Sequence, residues 1–196
     1  MSDKSSETRR EALLVVAGLA LTSMAVTAVG AEGSGNAVAG ARDPNGKAGD
    51  FEFLSGEWKI QNRRLKSGQS TEWDEFEGEA TCWTILSGIG SIEELRIPAR
   101  NFSGMGLRLL DVEKRIWNDF WVNSKSGVLT TPGQAGNFEN NVGTFTADDM
   151  DGDKPIKVRG VWDKITPISC RWSQAVSYDQ GQTWIENWSM IWTRVK

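Results

Sequence analysis

The stretch Ile156-Lys157-Val158-Arg159-Gly160-Val161-Trp162-Asp163 places Ile156, Val158, Gly160 and Trp162 on one side and Lys157, Arg159, Val161 and Asp163 on the other. Alternation at period two is the mark of a β-strand with one buried face. The pattern continues outward in both directions. Downstream, the turn at Thr166-Pro167 leads to Cys170, Trp172, Gln174 and Val176 on one face. The last strand puts Trp184, Glu186, Trp188, Met190, Trp192 and Arg194 on one face. Upstream, Glu57 to Leu65 sets Trp58, Ile60, Asn62 and Arg64 together, and Glu72 to Thr84 separates Trp73, Glu75, Glu77 and Glu79 from Asp74, Phe76, Gly78 and Ala80. Ser91–Ile97, Met105–Leu110 and Trp117–Val122 follow as strands, Lys125–Gln134 as a loop, and two more strands flank an acidic turn at Asp148–Lys154.

That makes about nine strands joined by short turns, with no helix after the N-terminal segment. The expected fold is all-β, a single antiparallel up-and-down barrel, since closure removes exposed edges. A barrel of this size either holds a small ligand or is filled by its own side chains.

Composition narrows the chemistry. Ten tryptophans lie between Trp58 and Trp192, and the chain has no histidine. Without histidine, Ser-His-Asp and Cys-His catalysis and His-ligated zinc or haem are excluded. Cys82 and Cys170 are the two cysteines and cannot form a zinc site alone. A disulfide and two separately buried thiols both remain open for them. The sequence calls for no cofactor and no metal. The formal net charge of −4, with no basic stripe, argues against nucleic acid as a partner.

The N-terminus reads as an export signal. Lys4, Arg9 and Arg10 precede an apolar run from Ala12 to Val29, and Val29-Gly30-Ala31 resembles a cleavage site. Thr8-Arg9-Arg10-Glu11-Ala12-Leu13-Leu14 resembles a twin-arginine signal, with an ordinary secretory signal or an uncleaved anchor as alternatives. Residues 1–31 are thus read as a signal peptide, 32–50 as a flexible lead-in and 51–196 as the barrel domain, with a periplasmic or secreted destination.

Six stretches carry a family resemblance: Phe53–Trp58, Glu72–Gly78, Gly106–Asp111, Trp117–Val122, Arg171–Ala175 and Trp184–Trp188. Through them the mature chain resembles the uncharacterised bacterial lipocalin-like (calycin-like) proteins, many of which carry export signals. The resemblance implies a calycin-type barrel and no particular reaction. The nitrobindin-like barrels that bind haem use a histidine, so haem is not carried over to this chain.

Three motifs have bland readings. Ser177-Tyr178-Asp179-Gln180-Gly181-Gln182-Thr183-Trp184 matches an Asp-box, a hairpin-stabilising unit in which Asp179 accepts backbone hydrogens. Asp148-Asp149-Met150-Asp151-Gly152-Asp153 fails the EF-hand register and reads as a solvated turn. Glu75, Glu77 and Glu79 share a face that is either the outer, ion-paired surface or a lumenal acid/base pair.

Trp121 with Asn123, and Trp172 with Gln174, pair a flat wall with a neutral polar anchor, as pockets for flat organic ligands do. The expected function is lumenal binding of a small apolar or aromatic molecule. Trp58, Trp121 and Trp188 would form walls, Asn123 and Gln174 would orient the ligand, and Arg64 and Glu77 would supply charge. The alternative is a cofactor-independent lyase, isomerase or hydratase in the same lumen, with Glu77 or Glu75 moving a proton. A third reading is a filled barrel that serves as a partner-binding module, and the oligomeric state is open.

Overall fold

A computed structural model describes residues 44–66 and 70–195. The expected signal peptide lies outside the described residues. Ten antiparallel strands close into one barrel in which each strand pairs with its neighbours in sequence and β1 closes on β10. They are β1 (Gly56–Leu65), β2 (Trp73–Ile85), β3 (Gly90–Ile97), β4 (Phe102–Asp111), β5 (Ile116–Asn123), β6 (Gln134–Glu139), β7 (Val142–Asp151), β8 (Lys154–Asp163), β9 (Ser169–Ser177) and β10 (Ile185–Arg194).

The strand beyond the expected nine is β6, a six-residue strand of sequence QAGNFE. It has too few apolar residues for a period to register. The expected acidic turn is shorter than Asp148–Lys154. Asp148 to Asp151 pair with β8, and only Gly152 and Asp153 make the turn. Gly152 has φ +62, which a glycine adopts without steric cost.

Register fixes which side chains face inward, because directly opposed residues share a face. Trp58, Ile60, Asn62 and Arg64 of β1 face Trp192, Met190 and Trp188 of β10 across the lumenal side. Trp184 and Glu186 correct the expectation of one continuous face on β10. The register shifts between Glu186 and Trp188, so one residue is added and parity reverses there. Glu186 pairs with Arg171 on the outside, and Trp184 lies beneath the Arg159 guanidinium, 4.2 Å from its carbon.

One end of the barrel is plugged by residues 44–54, part of which composition assigns to the lead-in. Gly46 N–H donates to Arg115 O and Gly49 N–H to Gly88 O, both at 2.9 Å. The short 3-10 turn at Glu52–Leu54 follows. Arg194 then ties the plug to the last strand, donating to Ser55 O at 2.5 Å and Phe53 O at 2.7 Å. Phe51 is the centre of the plug. Its ring meets Trp117 and Phe138 edge-on at 4.9 Å and lies 5.6 Å from Phe145. Trp58 belongs to this end as well: it is 1% exposed, packs edge-on against Trp192, and donates its indole N–H to Leu54 O at 2.7 Å.

Truncating Phe51 to alanine removes a fully buried ring from this cluster. The expected loss is about 3–5 kcal/mol of stability in urea unfolding. A loss below about 1 kcal/mol would show that the plug does not hold the barrel end.

Candidate functional site

Beyond the plug the lumen keeps about 90 Å³ of free space. That is room for several waters or a single small ring. Its walls are Trp121, Trp162, Trp172, Trp188 and Trp192, with Leu95 and Met190 between them and Gln134 and Gln174 as neutral polar groups. Trp172 and Trp188 meet edge-on at 5.6 Å, and Trp188 donates its indole N–H to Asn62 Oδ1 at 3.1 Å. Gln174 Nε2 donates to Asn187 Oδ1 at 3.2 Å. Two glycines of β4 open this space. A Cβ on Gly104 would lie 2.2 Å from the Trp121 ring, and one on Gly106 would lie 3.0 Å from Arg108 Nη2. The bare backbone lets the indole and the guanidinium lie flat along the strand.

The floor of the cavity carries charge. Arg108 Nη2 donates to Glu93 Oε2 at 2.5 Å, and Arg108 Nε stands 3.5 Å from Asp119 Oδ1. All three line the cavity; the side chains of Arg108 and Glu93 are 4% exposed and that of Asp119 is 19% exposed, so Asp119 is the most open of them. Neighbouring strands build the group: Glu93 lies on β3, Arg108 on β4 and Asp119 on β5, with Arg108 directly opposite Asp119. The guanidinium carbon also lies 5.2 Å from the Trp162 ring centroid and 5.3 Å from that of Phe51. Burial works against the Arg108 charge, but Asp119 and Glu93 outweigh it and hold the guanidinium protonated. Burial pushes the Asp119 carboxyl up to about 6, against the pull of Arg108 and with the help of Glu93.

The lumen also holds polar hydrogens without acceptors. Among the described residues, the indole N–H groups of Trp121, Trp162 and Trp192 are buried without a hydrogen-bond partner, as are Arg108 Nη1 and Asn62 Nδ2. All five are donors. A buried unmatched donor costs about 1–3 kcal/mol, a cost that an acceptor supplied by a bound water or a ligand would remove.

The site residues expected from sequence divide. Trp121, Gln174 and Trp188 line the cavity together. Trp58 is a core residue of the plug end. Arg64 faces inward and covers the far side of Trp188, its guanidinium carbon 4.8 Å from that ring. Asn123 lies opposite Gly104, but its Oδ1 accepts from Lys125 N and Ser126 N at 3.0 Å and so shapes the following loop. Glu77 is corrected: it is exposed on the outer face with Glu75 and Glu79. Glu79 pairs with Arg96 at 3.0 Å and Glu75 with Arg63 at 3.9 Å, so this acidic row is a solvated surface and not a lumenal acid/base pair. The two thiols are free and buried, and burial pushes both pKa values up.

The Asp-box forms outside the lumen. Asp179 accepts from Thr183 N at 2.8 Å and Thr183 Oγ1 at 2.6 Å, and Ser177 Oγ accepts from Gly181 N at 2.7 Å. The bonds from Thr183, with one donated by Ser177 Oγ at 2.7 Å, hold the Asp179 carboxyl down at about 2.

No family model matches the chain, and no curated protein matches it. Among solved structures it is similar to the crystal structure of Rv2717c from M. tuberculosis, at 12% identity and a TM-score of 0.47, over 76% of this chain and 99% of that one. It is also similar to a protein of unknown function of the DUF3598 family from Nostoc punctiforme, at 10% identity and a TM-score of 0.43 over 80% of this chain and 53% of that one.

Gly104→Ala forces the Trp121 ring aside and is expected to lower stability by about 1–3 kcal/mol and to change the near-UV circular dichroism. An unchanged spectrum would place Trp121 elsewhere. Asp119 binds its proton more tightly folded than unfolded. Its contribution to stability is therefore greatest below pH about 4 and declines as pH rises to about 6. In Asp119→Asn that decline is absent, so the stability of the variant relative to wild type should rise across this window. A constant difference in urea midpoints between pH 4 and 6 would show that Asp119 titrates normally.

Proposed function

We propose that this protein binds a small, flat, largely apolar molecule in the lumen of its barrel, and that the molecule carries hydrogen-bond acceptors. The observation that carries this reading is the one-sided chemistry of the cavity: its unmatched buried polar atoms are donors, set among indole walls. Aromatic faces favour a flat ligand, and the donors favour a carbonyl, ether or similar oxygen. With Glu93 and Asp119 beside Arg108 the floor already holds two carboxylates, which favours a neutral ligand over an anion at neutral pH. Placement of the chain among the exported bacterial lipocalin-like proteins, with a periplasmic or secreted destination, fits this reading and rests on the sequence resemblance and the N-terminal segment.

Tryptophan fluorescence is the direct test. Benzaldehyde and toluene are both single rings, and only the first has an acceptor. Benzaldehyde is expected to bind about tenfold more tightly, the worth of one hydrogen bond to a buried donor. Gly160→Val should abolish both signals. A Cβ there would lie 3.3 Å from Gln134 Oε1 and 3.4 Å from Trp172 Nε1, inside the cavity. Equal affinity for the two rings, or binding that survives Gly160→Val, would contradict the proposal.

A further inference from the structure

We propose that Asp119 is a catalytic general base that moves a proton along a neutral carbonyl compound seated in the lumen. This inference rests on the lumenal binding reading and adds a reaction to it. The cavity brings together the two components such chemistry needs: a base that the substrate reaches, and fixed donors for the oxygen that gains charge.

Asp119 is the most exposed of the three buried charged groups and lines the free space. Directly opposite it on β4, Arg108 keeps Nη1 without an acceptor while Nη2 is held by Glu93. Trp121, two residues along on the same face, offers an indole N–H that is also unmatched. The carbonyl oxygen would lie between these donors and the carboxylate, since Arg108, Asp119 and Trp121 hold adjacent inward positions of β4 and β5. The charged groups facing Asp119 are Arg108 and Glu93, and Gln134 opposes it on β6 as a neutral amide. With its carboxyl raised to about 6, Asp119 is mostly ionised at neutral pH yet returns a proton readily.

The step balances without a co-reactant. The Asp119 carboxylate removes a proton from the carbon next to the carbonyl. The C–H electron pair becomes a carbon–carbon double bond, and the carbonyl pair moves onto oxygen to give an enolate held by the donors. The protonated Asp119 then returns the proton, either to the same carbon or, in a β,γ-unsaturated ketone, to the γ carbon. The product is an isomer of the substrate, and Asp119 ends as it began.

The probe is cyclohex-3-en-1-one, a single neutral ring whose isomerisation to cyclohex-2-en-1-one is read by ultraviolet absorbance and whose binding is read by tryptophan fluorescence. Wild type is expected to catalyse the conversion. Asp119→Asn should bind the ketone within a few fold of wild type and lose at least about a hundredfold in rate. Where that variant fails to fold, the wild-type pH profile decides the question: kcat/KM should rise through pH about 6 and level off. A ketone that binds without isomerising, or a rate that keeps climbing with hydroxide, overturns the catalytic role and leaves the binding reading standing. A ketone that does not bind at all overturns both.

Discussion

An arginine buried in an aromatic barrel must be neutralised, and the position of Arg108 organises what surrounds it. Its guanidinium is held by Glu93 on one adjacent strand and Asp119 on the other, and it rests between Phe51 of the plug and Trp162 of the wall. The pairing offsets a desolvation cost that neither charge would survive alone. It also joins three strands and the N-terminal plug at one point. The floor of the cavity and the closure of the barrel end are therefore the same structure. Above that point the lumen is walled with indoles, and of the two carboxylates that line it, Glu93 and Asp119, Asp119 is the more exposed.

Much of the barrel is legible in the alternation of single strands. The inward face of β1, from Trp58 to Arg64, follows from period two, as do Trp121 with Asp119 on β5 and Trp172 with Gln174 on β9. Two features resist that reading. Period two gives two faces without saying which is inside, and on β2 both faces contain charge. The energetics of burial settle it: Glu75, Glu77 and Glu79 face water and the arginines beside them, while Phe76, Gly78 and Ala80 face inward. On β10 one extra residue at the bulge reverses parity, so Trp184 leaves the face that Trp188 and Trp192 share.

The charged floor was hidden for a different reason. Glu93, Arg108 and Asp119 each look like one polar residue in an otherwise ordinary strand. They become a cluster only through the pairing of β3, β4 and β5. A local signal does exist for Arg108. The glycines at 104 and 106 precede it on the same face, and small residues on an inward face leave room for a large polar neighbour. Asp119 lies between Trp117 and Trp121 in the same alternation, a carboxylate flanked by two inward indoles. The unmatched indole N–H groups belong to tertiary geometry and have no signature in the sequence.

The central claim is that the donor-lined lumen is built to be occupied. Native mass spectrometry of the protein isolated from its own cells, set against its denatured mass, tests this directly. The account predicts a discrete added mass in the native spectrum that is lost on unfolding, from a neutral molecule bearing a carbonyl or similar acceptor. A bare native mass, together with a high-resolution structure in which side chains alone fill the space between Trp121, Trp162 and Trp192, would contradict it.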